Sequence, residues 1–463
     1  MRTTVLAVVA IISLPLFSSA QSTLNFPRVI QPGEYATTGF AVVNPGPDPA
    51  TVTFTLYGAD GSFQKSPLTI PARGQRARLA SELFPSALSA GWVQGTSAVL
   101  GLQGFWFAGN FVTFADGAEA AASSSELVLP LVAPQSEINI VNTGTVDITV
   151  LLDILGPEGF DLDKPYPQLI PAGGFFSKDV ASLFPKLVDL TFATHMRLRC
   201  GCDNGNTIAA TIVARDFIAA PSWAVVNAMP ASTSTITINF PHLVDGPQNG
   251  ANWKSVLGVT NLSASSSNEV TIAFTSETGA VQTVQQTLLP NGGIRAFARD
   301  LFQFAAPFVN GWLQVSSTSG LPITGYIVYA ETVNAGVAAV PAQQNAQTNL
   351  LFAHIADLPP WLTGLALLNT NAGAATVKIS AMTPDGALIG NATISLAAGA
   401  KISKLLSELI PQTQTRTTDG GFVFVASDLP LFGIELFFSR NLQILANVSA
   451  GRILPGITYT PPQ

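Results

Sequence analysis

The sequence predicts an all-β protein: four tandem immunoglobulin-like β-sandwich domains, each with one short helical segment, preceded by a signal peptide. Three observations carry this expectation. Landmarks recur four times at nearly constant spacing, apolar residues alternate with a period of two, and turn residues punctuate the alternating runs. Asn44, Asn142, Asn261 and Asn369 each open a copy, and a turn glycine follows at an almost unvarying offset, at Gly61, Gly159, Gly279 and Gly386. A second landmark reads LTIPARG at 68–74, QLIPAGG at 168–174, TLLPNGG at 287–293 and SLAAGA at 395–400. A leucine opening a Leu-Phe or Leu-Ile pair keeps step with the proline, or with Ala397 in the fourth copy: Leu83, Leu183, Leu301 and Leu409.

The intervals between corresponding asparagines place the divisions at 21–126, 127–236, 237–349 and 350–463. Units of this length can bury their own cores, which predicts four self-sufficient packets arranged like beads. Within a copy, Ala50 to Tyr57 alternates Val52, Phe54 and Leu56 with threonines, the pattern of a strand buried on one face. Asp60-Gly61 and Asp385-Gly386 then mark tight hairpins, because glycine readily adopts positive φ. The segments at 78–85, 178–185, 297–304 and 403–411 suit one or two helical turns whose Leu-Phe pair plugs one end of the sandwich. A second hairpin follows, opening on Gly91-Trp92, Gly311-Trp312 and Gly421-Phe422, with the aromatic expected in the core. Ala/Ser/Asn/Gln-rich stretches at 115–126, 219–234 and 334–349 read as linkers or as long loops crossing before a last strand.

Composition narrows the function classes. Charged residues are 11% of the 463-residue chain against 47% hydrophobic, and the formal net charge is −7. That balance is too apolar for disorder and carries no Lys/Arg run, so nucleic acid is set aside. Arg2, the apolar Val5 to Leu16 and the small residues before Gln21 form an export signal cleaved near Ala20. Phe422 to Phe438 is interrupted by Asp428, Pro430 and Glu435, so a strand pair is expected there and no membrane span after signal cleavage.

Taken together, the N-P/T-x opening, V-T-x-T-L, the turn glycine, L-P-A-G-G and S-E-L-F-P resemble a repeat of exported, mostly uncharacterised bacterial proteins, over about 26–456. The resemblance implies a β-sandwich in a cell-surface or extracellular setting, and the export signal suits a secreted, cell-surface or periplasmic protein. It supplies no catalytic residues to transfer.

Several residue groups are candidate sites. Cys200 and Cys202 read first as a local disulfide, with free thiols and a metal site, Asp203 nearby, as the other readings. His242 and His354 recur before an aspartate, with Arg28 near the same place in the first copy, which suits a junction between units more than chemistry. Asp153, Glu158, Asp161 and Asp163 gather acid without a calcium-loop pattern. Trp106, Phe111 and Phe114 form a candidate ligand platform, beside the alternative that the first copy's core buries them. No catalytic, cofactor-binding or metal residue is assigned. The sequence therefore points to an exported non-catalytic scaffold or adhesion-type protein whose partner is an extracellular protein or glycan. The rivals are a carbohydrate-binding array, a filament subunit accepting a neighbour's strand, and a secreted enzyme with an inter-domain site.

Overall fold

The computed structural model describes residues 21–202, 205–416 and 420–452, so the expected signal segment, 1–20, lies outside them. Antiparallel strands dominate, and no described helix is long and apolar enough to cross a membrane. Each copy lays down two sheets by one route. In the first, Ser22–Ile30, Gly91–Ser97, Ala50–Tyr57 and Phe63–Ile70 pair in that order, while Gln75–Leu79, Thr38–Val43, Gln103–Gly109 and Ala115–Glu119 form the other sheet. The alternation at 50–57 works as expected, with Val52 and Phe54 buried and Thr51 exposed. A single helical turn, Ala80–Leu83, follows the second landmark, and its Leu83-Phe84 pair is buried in the core. Val180–Leu183, Ala298–Phe302 and Leu406–Leu409 repeat it.

The fixed spacing of the landmarks has a hydrogen-bonding cause. Asn44 donates its amide to the carbonyls of Asp48 (2.7 Å) and Pro71 (3.1 Å), and its side-chain oxygen accepts from Gly46 N–H (2.9 Å). Asn142 reaches Val146, Ile170 and Pro171; Asn261 reaches Ser266, Leu288 and Leu289; Asn369 reaches Gly373, Leu396 and Ala397. All four asparagines are buried. Each one ties its own turn to the second landmark, so neither can shift without stranding buried carbonyls.

One expected element differs. Phe422–Ser439 is a single strand and not a strand pair. Its first half pairs with Gln347–Phe352 and Ala375–Met382, and its second half with Trp361–Leu368 and Leu445–Ser449. A register shift falls between Ala426 and Leu431, and Pro430 lies inside it, where no ladder N–H is required.

The expectation of separate packets is also corrected, because the hydrophobic clusters run from one copy into the next. Val213, Trp223 and Val225 join the core of the first copy; Tyr326, Val328 and Val337 join the second; Ala366 and Ile434 join the third; Val43 and Phe105 join the fourth. The order is cyclic, so the head-to-tail contact closes into a ring between the last copy and the first. The three stretches expected as linkers, with Leu445–Ser449 of the last copy, supply its centre. Ala115–Glu119, Trp223–Asn227, Val337–Pro341 and Leu445–Ser449 pack against one another in a closed cycle.

Asp116 sits at that meeting point, fully buried. Its carboxylate accepts backbone N–H groups of Gly117 (2.8 Å), Val225 (2.8 Å) and Asn447 (3.4 Å), and that of Ala339 as well. One donor therefore comes from each copy. Burial pushes this carboxyl well above the usual range, and the four N–H groups pull the other way.

Two expectations follow for stability. Asn142→Ala removes the amide donor from the carbonyls of Ile170, Pro171 and Val146, the first of them buried, and should cost about 2 kcal/mol in denaturant unfolding. Asp116→Asn turns an NH2 group toward N–H donors and should cost about 3 kcal/mol, an unchanged midpoint being the contrary result.

Candidate functional site

The seams between copies are where the chain concentrates its unusual side chains. At three of the four seams the hairpin glycine meets the second landmark of the following copy, Gly279 of the third copy being the exception. Gly61 (φ +81°) abuts the Ala172 carbonyl, Gly159 (φ +79°) that of Pro290, and Gly386 (φ +81°) that of Arg73. The left-handed conformation already favours glycine there, and the approach of a neighbouring backbone leaves no room for a Cβ. Trp92 and Trp312 reach the same turns, donating their indole N–H to Gly173 O (2.8 Å) and Gly399 O (3.2 Å). Trp92 is thus buried between copies, with Val141 and Ala209, and not in the core of its own copy.

Position 28 and its counterparts differ from seam to seam. Arg28 pairs with Glu34 (2.9 Å) and Glu137 and lies 5.5 Å over the Trp223 ring. Arg215 also pairs with Glu137, so one carboxylate of the second copy holds two guanidinium groups. His354 stands edge-on to Phe437, 5.5 Å between centroids. The expectation that these residues fix junctions describes their placement.

Between the third and fourth copies the seam contains a cavity of about 350 Å³. Its wall is largely apolar, with Val244, Leu365, Ile434, Leu436 and Leu445, and His242, Asn310 and Ser403 contribute polar groups. Behind them lies Lys401, whose side chain is fully buried. Its Nζ is 2.9 Å from His242 Nδ1, 2.5 Å from Asn310 Oδ1 and 2.9 Å from Ser403 Oγ, with Glu277 3.9 Å away. Burial lowers the lysine to about 7, only partly offset by Glu277, and burial with Lys401 beside it holds His242 well below its usual value. Sequence reading misses Lys401 and Ser403; their only signal is a polar pair replacing Gln75 and Ala77 at matching positions.

Other sequence candidates do not assemble. The platform is corrected: Trp106 is buried in the first core, while Phe105 and Phe107 turn the other way onto Phe437 of the fourth copy (6.4 and 4.7 Å). Phe111 packs on Phe107 and Phe114 on Trp223, so the three residues share no open face. Cys200 and Cys202 are joined as a disulfide, and Asp203 lies outside the described residues. Asp153 accepts two bonds from Arg199 (2.8 and 2.9 Å), which occupies it structurally. Asp161 is raised by burial and by Asp153, Glu158 is exposed in its turn, and Asp163 binds the Lys164 N–H. No group of three or more His, Cys, Asp or Glu side chains suited to a metal occurs among the described residues.

No family model and no curated protein matches the chain. Among solved structures it is similar to a tetra-tandem repeat in the extending region of a large adhesion protein. That match is 14% identical and covers 94% of this chain and 99% of the other, with a TM-score of 0.11, too low to bear on function.

Lys401 gives a pH signature. Its folded value lies below the unfolded 10.5, so between pH 7 and 10.5 the unfolded chain binds the extra proton and stability rises with pH. Lys401→Gln should flatten that rise and increase Tm at pH 7, as followed by circular dichroism.

Proposed function

We propose that the protein is an exported, non-catalytic scaffold of adhesion type. Four immunoglobulin-like β-sandwich repeats of the exported bacterial kind close into one rigid ring that presents loops to an extracellular protein or glycan. The observation that supports this reading most is the recurrence of one seam around the whole chain, last copy to first. Such closure makes a stiff platform, since a single copy cannot swing without exposing core residues of its neighbour. Loops on a rigid frame vary at little cost to the fold and commonly hold contact surfaces.

The segments after the helical turns suit that role. Leu88 and Val188 occupy matching places in the first two copies and are both exposed, with Phe192 beside the second. Exposed apolar groups at repeated positions favour contact with a protein or the apolar face of a sugar.

Surface plasmon resonance of the full mature chain against extracellular protein and glycan panels tests this. Saturable binding should fall at least tenfold in a Leu88→Ser, Val188→Ser double variant of unchanged Tm. Turnover of ester or glycoside substrates with no binding partner would contradict the scaffold reading.

A further inference from the structure

The seam between the third and fourth copies does more than hold two copies together. The other three seams manage the position of Lys401 without a charge: Gln75, Phe175 and Gly293 occupy it. At the closing seam Gln75 bonds the carbonyls of Ala353 (2.8 Å) and Gly421 (3.0 Å), so a neutral amide suffices for packing. Position 242 likewise carries Arg28, Leu131 or His354 elsewhere, and position 403 carries Ala77, Ser177 or Arg295. Among the described residues ammonium, imidazole and hydroxyl coincide at this seam alone, beside its cavity of about 350 Å³; the closing seam has an apolar cavity of about 250 Å³, lined by Phe105, Phe107 and His354, with no buried amine behind it. Burying an amine costs stability, and cohesion of the seam gives no reason to bear that cost.

The proton inventory shows what the cluster offers. An ammonium has three donors, and His242 Nδ1, Asn310 Oδ1 and Ser403 Oγ are its three acceptors. Accepting at Nδ1 leaves the imidazole proton on Nε2. Ser403 Oγ accepts from the lysine and is 3.1 Å from His242 Nδ1, so its own proton can be given to a stronger acceptor. Both His242 and Ser403 belong to the cavity wall. The polar end is therefore a pair of neutral donors backed by a buried positive charge, and most of the remaining wall is apolar, with Gln248, Lys404 and Glu408 also on it.

We propose that this cavity binds a small monocarboxylate with an apolar body. The carboxylate sits on Ser403 and His242 in front of Lys401, and the chain lies among Val244, Leu365, Ile434, Leu436 and Leu445. A volume of about 350 Å³ falls at the small end of ligand pockets, which suits a medium-length acyl chain or one aromatic ring. A bound anion favours the charged lysine, so binding above neutral pH takes up a proton and weakens as pH rises. The other charges facing the site are Glu277, with Lys404 and Glu408 at the wall, and Glu408 is engaged with the Leu405 N–H (3.1 Å). The role is independent of the scaffold reading, since a ring presenting loops needs no interior ligand.

Isothermal titration of decanoate into the full mature chain tests the proposal, with decanol and decyltrimethylammonium as controls. One decanoate per chain is expected, bound at least tenfold more tightly at pH 6 than at pH 8.5, with neither control competing. Lys401→Gln, which installs the residue of the closing seam, should lose at least tenfold in affinity with no fall in Tm, and Ser403→Ala should lose several-fold. Leu436→Trp, which fills the cavity, should abolish binding at any pH. No saturable decanoate binding, equal binding of decanol, or undiminished affinity in both Lys401→Gln and Ser403→Ala would each overturn it.

Discussion

A single buried carboxylate sets the terms for the whole ring. Asp116 offers its two oxygens to N–H groups from four strands that are far apart in sequence, and those strands must converge for its buried oxygens to be satisfied. Small residues make that convergence feasible. Ala115, Gly117, Ala224, Ala338, Ala339 and Ala446 let four strands approach where bulkier side chains would hold them apart. A Cβ at Gly117 would run into the Trp106 carbonyl, so even an alanine there disturbs the first copy's own sheet. The centre thus gathers small side chains around one buried carboxyl group.

Closure changes how the repeat is understood. The copies have matching strand orders, but each completes the hydrophobic core of the one before it, and the fourth is completed by the first. A linear array would leave Val43 and Phe105 at one end and Phe437 at the other exposed to water. In the ring they meet. Because cohesion is spread over four similar seams, one can carry unusual chemistry at modest risk to the rest. Lys401 and His242 occupy such a seam, while Arg28 and Glu137 form a conventional charged one.

Much of the single repeat is legible in the sequence because its signals are local. Asn142 and Pro171 keep their spacing since one hydrogen-bonds the other, and the alternation at 50–57 is the pleat of one strand. What lies beyond reach is whatever depends on a neighbouring copy. Residues 115–126 resemble a linker because alanine and glycine lack periodic contrast, yet they contain the hub. Trp106 is a fair platform candidate by alternation, but which face of that strand the fourth copy covers is not written in the strand. Lys401 has the look of a surface cation at the start of a strand, and only the third copy folding over it makes it buried. The Phe422–Ser439 strand escapes a local reading because Pro430 taken alone signals a turn, and a bulge accommodates the same residue.

The central claim is that the first and last copies touch. Arg76 and Asp385 form an ion pair at 2.8 Å across that closing seam, with Asp385 exposed and Arg76 partly so. Double electron–electron resonance on an Arg76→Cys, Asp385→Cys variant, with Cys200–Cys202 kept oxidised, reads their separation directly. The ring predicts one narrow distribution at the short limit of the method, no wider than the label arms themselves allow. A broad distribution reaching out to the length of several units would mean an open string, and the account of a closed ring would be wrong.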